Sequence, residues 1–399
     1  MLNLLVIFLI SPPETRHFFL SLSLFFKAQS KMGCSKSTLF KVKDEEKAPC
    51  DREQEPSEVL LATATRRRKG SETAATSRQS YNEFLASYQK KVTREVSLIK
   101  ESKDIKIINK KYRRVKRLGE GSFGRVMHYR YDGGDDNATD CAIKIYDKKR
   151  LQRIRSSNNE RTALDDAFNE AQILVQLEHE NVTQLIEFLW DEESPKLYFV
   201  LEYCALGPIL DEKRETFEKI DWRTCIRYAH DVFWGVTYIH EVFVVHLDIK
   251  PQNMFVNANG RVKLGDFGTA VILSKDTPTV LKTPGTPAFT APECCEGQPY
   301  NGFKADAWSV GMSFHAMCTG SYHYKTGSSY DTYMRILHEE STDDSLLSSL
   351  FQETDKDENE YSEQFATVLS SLLVRDPKSR CGVAEAKDIF LDRAFSGVT

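Results

Sequence analysis

Three glycines, Gly119, Gly121 and Gly124, have a type and spacing that suit the binding of an anion. Glycine lets a backbone fold tightly, so that successive amide N–H groups can face a phosphate. The same spacing occurs in dinucleotide-binding turns, where a helix follows the last glycine. Here the residues from Met127 to Tyr131 are typical of a strand, so the pattern favours a strand–loop–strand hairpin over a dinucleotide-binding turn.

Lys144 is a second group that could bind phosphate, and it ends the apolar run Cys141-Ala142-Ile143. Burying a lysine side chain that points inward from a strand costs free energy unless its ammonium contacts anions. Phosphate groups would supply these anions. A helix predicted around residues 164–178 offers Glu170 as its ion-pair partner. Taken alone, the two residues could equally form an ordinary surface salt bridge. The polar segment from Lys148 to Asp166 predicts an inserted loop.

The most specific pattern is the run from Val245 to Asn253, which is followed by Asp266-Phe267-Gly268. These stretches resemble the catalytic loop and the metal-binding motif of protein kinases. The resemblance implies that Asp248 accepts or orients the proton of a substrate hydroxyl and that Lys250 neutralises the moving phosphoryl group. It also implies that Asn253 and Asp266 hold Mg²⁺ through hard oxygen ligands.

The resemblance extends from residue 112 to about residue 395. It implies an α+β, bilobal protein kinase fold, in which a small β-rich N-lobe and a larger, mainly helical C-lobe enclose ATP. In that fold Glu293 would pair with Arg380, and the stretch Asp306-Ala307-Trp308-Ser309-Val310-Gly311 would belong to a buried helix that anchors the catalytic loop. His246 and Phe267 would stack with Leu174 and Leu185 between the lobes. The ATP-binding residues implied are Leu118, Gly119, Glu120, Gly121, Ser122, Gly124, Val126, Ala142, Lys144, Glu170, Glu202 and Cys204.

Two features resemble serine/threonine kinases rather than tyrosine kinases: Lys250-Pro251 after the predicted base, and Gly285-Thr286-Pro287. Several further stretches look like the calcium/calmodulin-dependent kinase kinases and the related upstream activators of AMP-activated-type kinases. The protein substrate would then be another kinase or signalling protein. By this resemblance, Leu201 would lie beside the adenine of ATP, and backbone groups of Glu202 to Cys204 would form hydrogen bonds with the adenine. No stretch after Arg380 resembles the calmodulin-binding helix of that family, which disfavours regulation by calmodulin.

Leu247 departs from the family pattern, because an arginine normally precedes the catalytic aspartate. That arginine binds an activation-loop phosphate through charge-assisted hydrogen bonds, which leucine cannot make. We therefore expect activity that does not depend on phosphorylation of Thr277, Thr279 or Thr283. The alternative is a pseudokinase scaffold, although the retention of all five polar groups from Lys144 to Asp266 favours an active enzyme.

The N-terminal segment holds two apolar runs, residues 2–10 and 18–26, each too short to span a bilayer. The sequence Met32-Gly33-Cys34-Ser35-Lys36-Ser37 fits the N-myristoylation pattern, with a palmitoylatable cysteine beside the glycine. We expect translation to begin at Met32, which would make residues 1–31 an untranslated extension. Dual acylation of Gly33 and Cys34 would attach an otherwise cytoplasmic protein to the inner face of the plasma membrane.

Residues 32–110 carry more lysine and arginine than aspartate and glutamate, although the whole chain has a net charge of −4. This basic region reads as a flexible linker, with a short helix predicted near residues 81–101 that would dock on the kinase domain at 111–395. The nine cysteines include no C-x-x-C pair, so reduced thiols are expected rather than a zinc site. We find no nucleic-acid-binding signature.

Overall fold

The computed structural model describes residues 74–88, 91–101, 104–121, 124–132, 139–155, 161–210, 217–275, 277–282, 285–324, 327–338 and 359–394. One compact unit comprises residues 53–154 and 162–399, and it contains every element named below. The other unit, residues 1–52 with 155–161, lies almost entirely outside the described ranges. The acylation motif predicted at Gly33 and Cys34 lies outside the described residues.

The N-lobe is built on an eight-stranded sheet with the order β1-β7-β8-β6-β5-β4-β3-β2. Strand β1 pairs with β7 in parallel, and all the other pairs in this sheet are antiparallel. The predicted hairpin around the glycines is confirmed as β4 and β5. The strands are β1 (Val92–Thr93), β2 (Leu98–Glu101), β3 (Asp104–Ile108), β4 (Tyr112–Glu120), β5 (Gly124–Tyr131), β6 (Thr139–Asp147), β7 (Leu185–Leu189) and β8 (Lys196–Glu202).

Three helices accompany this sheet: α1 (Ala74–Ser87), α2 (Lys148–Arg153) and α3 (Ala163–Leu174). The helix predicted near 81–101 is therefore wrong beyond Ser87, because the following residues pair as strands β1 and β2. The expected loop after Lys148 instead begins with α2, which Asp147 caps by accepting a hydrogen bond from the Arg150 amide. Helix α3 ends at Leu174 and not at residue 178.

The C-lobe is mainly helical, and its core lies between α4 and α5. Helix α5 has almost no exposed face, since all but a few of its residues are buried. The helices are α4 (Trp222–Glu241), α5 (Gly302–Thr319), α6 (Ser329–His338), α7 (Asn359–Leu372) and α8 (Val383–Ala394). The short strands are β9 (Gly207–Pro208), β10 (Val244–Val245), β11 (Met254–Val256), β12 (Val262–Leu264), β13 (Val271–Ile272), β14 (Thr279–Val280) and β15 (Tyr300–Asn301). They form three smaller sheets, β12-β11-β9, β10-β13 and β14-β15.

The architecture is thus the predicted α+β arrangement of a β-rich lobe and a helical lobe. In the ranges that the structure describes, no helix combines the length and apolarity needed to cross a membrane.

Candidate active site

Lys144 links strand β6, helix α3 and the start of the segment after β12. Its Nζ lies 2.9 Å from Glu170 Oε1 and 2.8 Å from Asp266 Oδ1. Alternation along β6 explains the position, because Ile143 and Ile145 are buried in the sheet core while Lys144 points to the opposite face. The predicted Lys144–Glu170 pair is therefore formed, and it is a buried pair rather than a surface salt bridge.

Burial and charge shift the pKa values of this triad in different ways, and burial raises the pKa of Glu170 above its ordinary value. Burial by itself would lower the pKa of Lys144, but the carboxylates of Asp266 and Glu170 outweigh it and raise that pKa well above its ordinary value. The ammonium of Lys144 in turn lowers the pKa of Asp266 to about 2. Because a depressed carboxyl pKa leaves the group ionised above it, Asp266 is an anion throughout the physiological pH range.

Asp248 lies at the centre of a second polar cluster. Thr286 Oγ1 donates a hydrogen bond to Asp248 Oδ1 at 2.7 Å, and Lys250 Nζ lies 2.8 Å from Thr286 Oγ1 and 3.1 Å from Asp248 Oδ2. Asn253 Nδ2 donates to the backbone oxygen and to Oδ2 of Asp248, at 2.8 and 3.1 Å. The acid, the ammonium and a hydroxyl thus share one network.

The two clusters are adjacent because the backbone ties them together. The Gly265 amide donates to Asn253 O at 2.9 Å, which places the start of the Asp266 motif beside the catalytic loop. His246 donates through Nε2 to Gly265 O at 3.0 Å, and its ring lies 4.9 Å from that of Phe267. Both side chains are fully buried, as are Leu174 and Leu185, with which they were predicted to stack.

Asp306 on α5 holds the backbone of the catalytic loop through hydrogen bonds. Its carboxylate, completely buried on α5, accepts hydrogen bonds from the amides of His246 (2.7 Å) and Leu247 (2.8 Å) and from His240 Nε2 (3.0 Å). The predicted anchoring role of this helix is consistent with that contact. Leu247 has a φ of +62°, so the two amide bonds hold a backbone conformation that leucine rarely adopts.

The glycine hairpin covers the neighbouring space, although Ser122 lies outside the described residues. The Gly121 amide donates to Gly124 O at 2.8 Å, which closes the turn. A Cβ on Gly124 would lie 2.2 Å from Ile145 O, so no other residue fits there. The other predicted members of the hairpin, Leu118, Gly119 and Glu120 on β4 and Val126 on β5, are in place, and Val126 pairs directly with Lys144.

The edge predicted for adenine binding is formed by β6 and β8. Ala142 pairs directly with Leu201, and Cys141 pairs with Glu202. Glu202 holds Lys263 in an ion pair at 2.9 Å, while Cys204 is nearly buried and its carbonyl accepts from the Gly207 amide at 3.1 Å.

The sequence of the whole region matches the family model for the protein kinase domain over residues 112–390. The chain belongs to the protein kinase family. It is 39% identical to the serine/threonine-protein kinase GRIK1 of Arabidopsis thaliana over 225 residues, and this aligned part covers 56% of each protein. It is also 38% identical over 237 residues to GRIK2 of that plant (58% of this chain, 56% of the relative). It is 35% identical over 228 residues to STK11 of Homo sapiens (55% of this chain, 49% of the relative). The matched part thus spans only about half the length of these curated relatives.

In this kinase the activation segment packs against Leu247. The leucine side chain is 2% exposed and lies in one apolar cluster with Leu273, Val280 and Phe289. The segment is held further by the pairing of β14 with β15 and by Lys282 Nζ, which donates to Thr269 O at 3.2 Å. Apolar contact therefore occupies the place where most kinases have a cation.

The end of the segment is fixed by the predicted Glu293–Arg380 pair. Arg380 Nη1 and Nη2 donate to the two carboxylate oxygens of Glu293 at 2.6 and 2.9 Å. The guanidinium is fully buried and also donates to the backbone oxygens of Val374, Lys304 and Arg375.

Sequence reasoning missed three residues that contribute to the site. Thr286 was noted only as a class marker, although its hydroxyl contacts Asp248 and Lys250 directly. Gly285 must be glycine because a Cβ there would lie 2.7 Å from Asp248 Oδ1. Tyr146 places its ring 5.4 Å from Lys144 Nζ. The Gly285-Thr286-Pro287 motif was the available signal for the first two, whereas nothing in the sequence pointed to Tyr146.

Proposed function

We propose that this protein is an ATP-dependent serine/threonine protein kinase. The observation that carries the proposal is the joint assembly of two adjacent clusters, Lys144–Glu170–Asp266 and Asp248–Lys250–Thr286, which the Gly265–Asn253 backbone hydrogen bond joins. A scaffold without catalysis has no chemical need for both. The family match and the serine/threonine kinases among its relatives support the same conclusion.

In this proposal Asp248 orients the substrate hydroxyl and receives its proton. The hydroxyl oxygen forms a bond to the γ-phosphorus of ATP while the bond from that phosphorus to the β-phosphate oxygen breaks, and ADP leaves. Lys250 neutralises the charge on the transferred group. The hydroxyl of Thr286 bridges Asp248 and Lys250, and so helps to hold both groups at the site of transfer.

The donor set suits magnesium as well as ATP. Asn253 commits its Nδ2 to Asp248 and Asp266 commits Oδ1 to Lys144, so each can still offer one oxygen, the kind of ligand that Mg²⁺ prefers. Mg²⁺ bound there would neutralise phosphate charge. Lys144, held by Glu170, would contact the α- and β-phosphates, and the backbone of Glu202 to Cys204 would bond adenine.

The substrate that we propose is another protein kinase. This rests on the resemblance of the hinge and activation-segment motifs to upstream activators of AMP-activated-type kinases. In the same proposal, acyl groups on Gly33 and Cys34 attach the protein to a membrane. The mass of the N-terminal peptide of native protein tests the attachment: a myristoylated Gly33 supports it, and a peptide that begins at Met1 contradicts it.

Phosphate transfer from labelled ATP with Mg²⁺ tests the activity. Wild-type protein is compared with Asp248→Asn, using a generic basic protein and an AMP-activated-type kinase whose own catalytic aspartate is disabled as acceptors. We expect Asp248→Asn to lower kcat by about 10³-fold or more, because it cannot accept the proton. A preference for the kinase acceptor supports the upstream role. ATP binding without any transfer by the wild type would instead favour a pseudokinase.

A further inference from the structure

A segment upstream of the matched kinase domain contacts helix α3, the helix that carries Glu170. We name this segment the N-terminal clasp. It comprises residues 81–88, which are the second half of α1 and the residue after it, together with residues 91–93. The family match begins only at residue 112, so the clasp is additional to the kinase domain. Its contacts reach α3 at both ends.

The first contact is at the N-terminus of α3. The ring of Tyr81 stacks on that of Phe168, with centroids 3.8 Å apart and planes 10° apart. The Tyr81 hydroxyl donates a hydrogen bond to Asp165. Asp165 is also a member of the capping box that starts α3, since it exchanges hydrogen bonds with Thr162. Tyr81 therefore contacts both the first turn of the helix and the residue two positions before Glu170.

The middle of the clasp fills an apolar space behind α3. Phe84 and Leu85 are only 4% and 3% exposed. The Phe84 ring lies 6.3 Å from Phe168, almost perpendicular to it, and 6.1 Å from Phe188 on β7. Phe168 thus packs between the clasp and the sheet, and it cannot move outward without opening this cluster.

The last contact is at the C-terminus of α3 and on β7. Lys91 Nζ lies 3.5 Å from Val175 O, where a cation opposes the negative end of the helix. The backbone of the clasp adds strand β1 to the sheet: the Phe188 amide donates to Lys91 O (2.7 Å) and the Trp190 amide to Thr93 O (2.9 Å). The buried Glu187 carboxylate accepts from the Thr93 hydroxyl and from Lys111 and Tyr112.

We propose that the N-terminal clasp is a built-in activator, which holds α3 where Glu170 can reach Lys144. Tyr81, Phe84 and Leu85 are then positioning residues for phosphate transfer, although none of them touches the ATP site. The inference rests on the proposed kinase function. Its chemical logic is that Glu170 and Lys144 lie in different elements, so their 2.9 Å contact lasts only while α3 is pressed against the sheet. The contacts of the clasp with Phe168, Asp165 and Val175 hold α3 against the sheet.

A purely stabilising role would give a different result, which the experiment separates. Full-length protein carrying Tyr81→Ala and Phe84→Ala together is compared with Asn82→Ala, an exposed position on the same helix. With the generic basic protein as acceptor, we expect kcat to fall about tenfold or more in the double variant, with KM for that acceptor within about twofold, because only the phosphate-binding pair is displaced. Asn82→Ala should match the wild type in both constants. Tyr81→Phe, which keeps the ring stack, should retain most of the activity.

Amide hydrogen exchange over residues 163–174 provides a readout that does not depend on activity. We expect faster exchange there in the double variant, while helix α5 in the C-lobe remains protected. Faster exchange of α3 with an unchanged kcat would overturn the proposal, as would unchanged exchange with a reduced kcat. If the wild type itself transfers no phosphate, the proposed kinase function is refuted. Amide exchange of α3 would still test whether the clasp stabilises the position of that helix. If the double variant unfolds, the single variant Tyr81→Ala is used instead, because the Tyr81 side chain is only half-buried. A kcat for Tyr81→Ala equal to that of Asn82→Ala would then contradict the proposal.

Discussion

Leu247 shows how one residue changes the regulation expected of the site. In its place most kinases have an arginine that pairs with an activation-loop phosphate. Here an apolar cluster holds the loop, with Leu247, Leu273 and Val280 buried together. Burial of such side chains contributes about 1.5–3 kcal/mol each, which is comparable to a charge-assisted contact. The loop is therefore held by packing that needs no phosphate.

Replacement of Thr277, Thr279 and Thr283 together by alanine is accordingly expected to leave most of the activity. Thr279 is exposed, and Thr283 lies outside the described residues. The measurement is kcat for phosphate transfer by protein purified with and without phosphatase treatment. A loss of more than about tenfold, equal in the triple variant and in phosphatase-treated wild type, would show that phosphorylation is required after all.

At the scale of elements, the structure corrects the sequence-based prediction where helix and strand patterns are both short. The residues from Phe84 to Ile99 share a helical face, which predicted one helix near 81–101. The helix ends at Ser87, and the backbone of Lys91 and Thr93 instead accepts hydrogen bonds from Phe188 on β7 and from Trp190, the residue after β7. Those partners are 97 residues away in the chain (Lys91 to Phe188 and Thr93 to Trp190), and local periodicity carries no information about them.

The buried pair between the 3₁₀ turn Pro292–Cys295 and the loop before α8 belongs to the same scale. Glu293→Gln would leave the guanidinium of Arg380 without a counter-charge in a fully buried position. We expect a loss of about 3 kcal/mol in the free energy of unfolding, measured by urea denaturation. Glu296→Gln, an exposed position on the next turn, is the matched control and should change stability by about 0.5 kcal/mol at most.

Equal stabilities for these two glutamine variants would mean that Arg380 is satisfied by backbone oxygens alone. Its bonds to Val374, Lys304 and Arg375 make that outcome physically meaningful.

At the scale of the whole molecule, the proposed ATP site joins the two lobes. Lys144 and Glu170 belong to the N-lobe, whereas Asp266 belongs to the C-lobe, and the ammonium bonds both carboxylates. A ligand at this junction stabilises the folded chain as one unit. MgATP at 100 times its Kd should raise the free energy of unfolding by about 2.7 kcal/mol.

Lys144→Met should largely remove that stabilisation, because the ammonium that would contact the α- and β-phosphates is absent and the carboxylate of Glu170 loses its counter-charge. Lys149→Met, at an exposed position on α2, serves as the control and should keep the full effect. Differential scanning fluorimetry with and without MgATP, and with EDTA added, measures the stabilisation that MgATP gives to each variant. A full shift in Lys144→Met would place nucleotide binding elsewhere.

The sequence by itself determined the chemical groups and their order along the chain. The glycine hairpin, the run from Val245 to Asn253 and Asp266-Phe267-Gly268 are continuous stretches whose spacing is nearly sufficient to predict their roles. The bilobal fold followed from the same resemblance, as did the pairs Lys144–Glu170 and Glu293–Arg380.

Only the tertiary structure decided which distant groups meet. It placed the Thr286 hydroxyl on Asp248, enclosed Leu247 in the activation-segment cluster and brought Tyr81 and Phe84 of the N-terminal clasp against α3. These contacts join residues that are tens of positions apart. They depend on which apolar faces are buried together and on which backbone groups remain to be paired, and short stretches of sequence do not encode either.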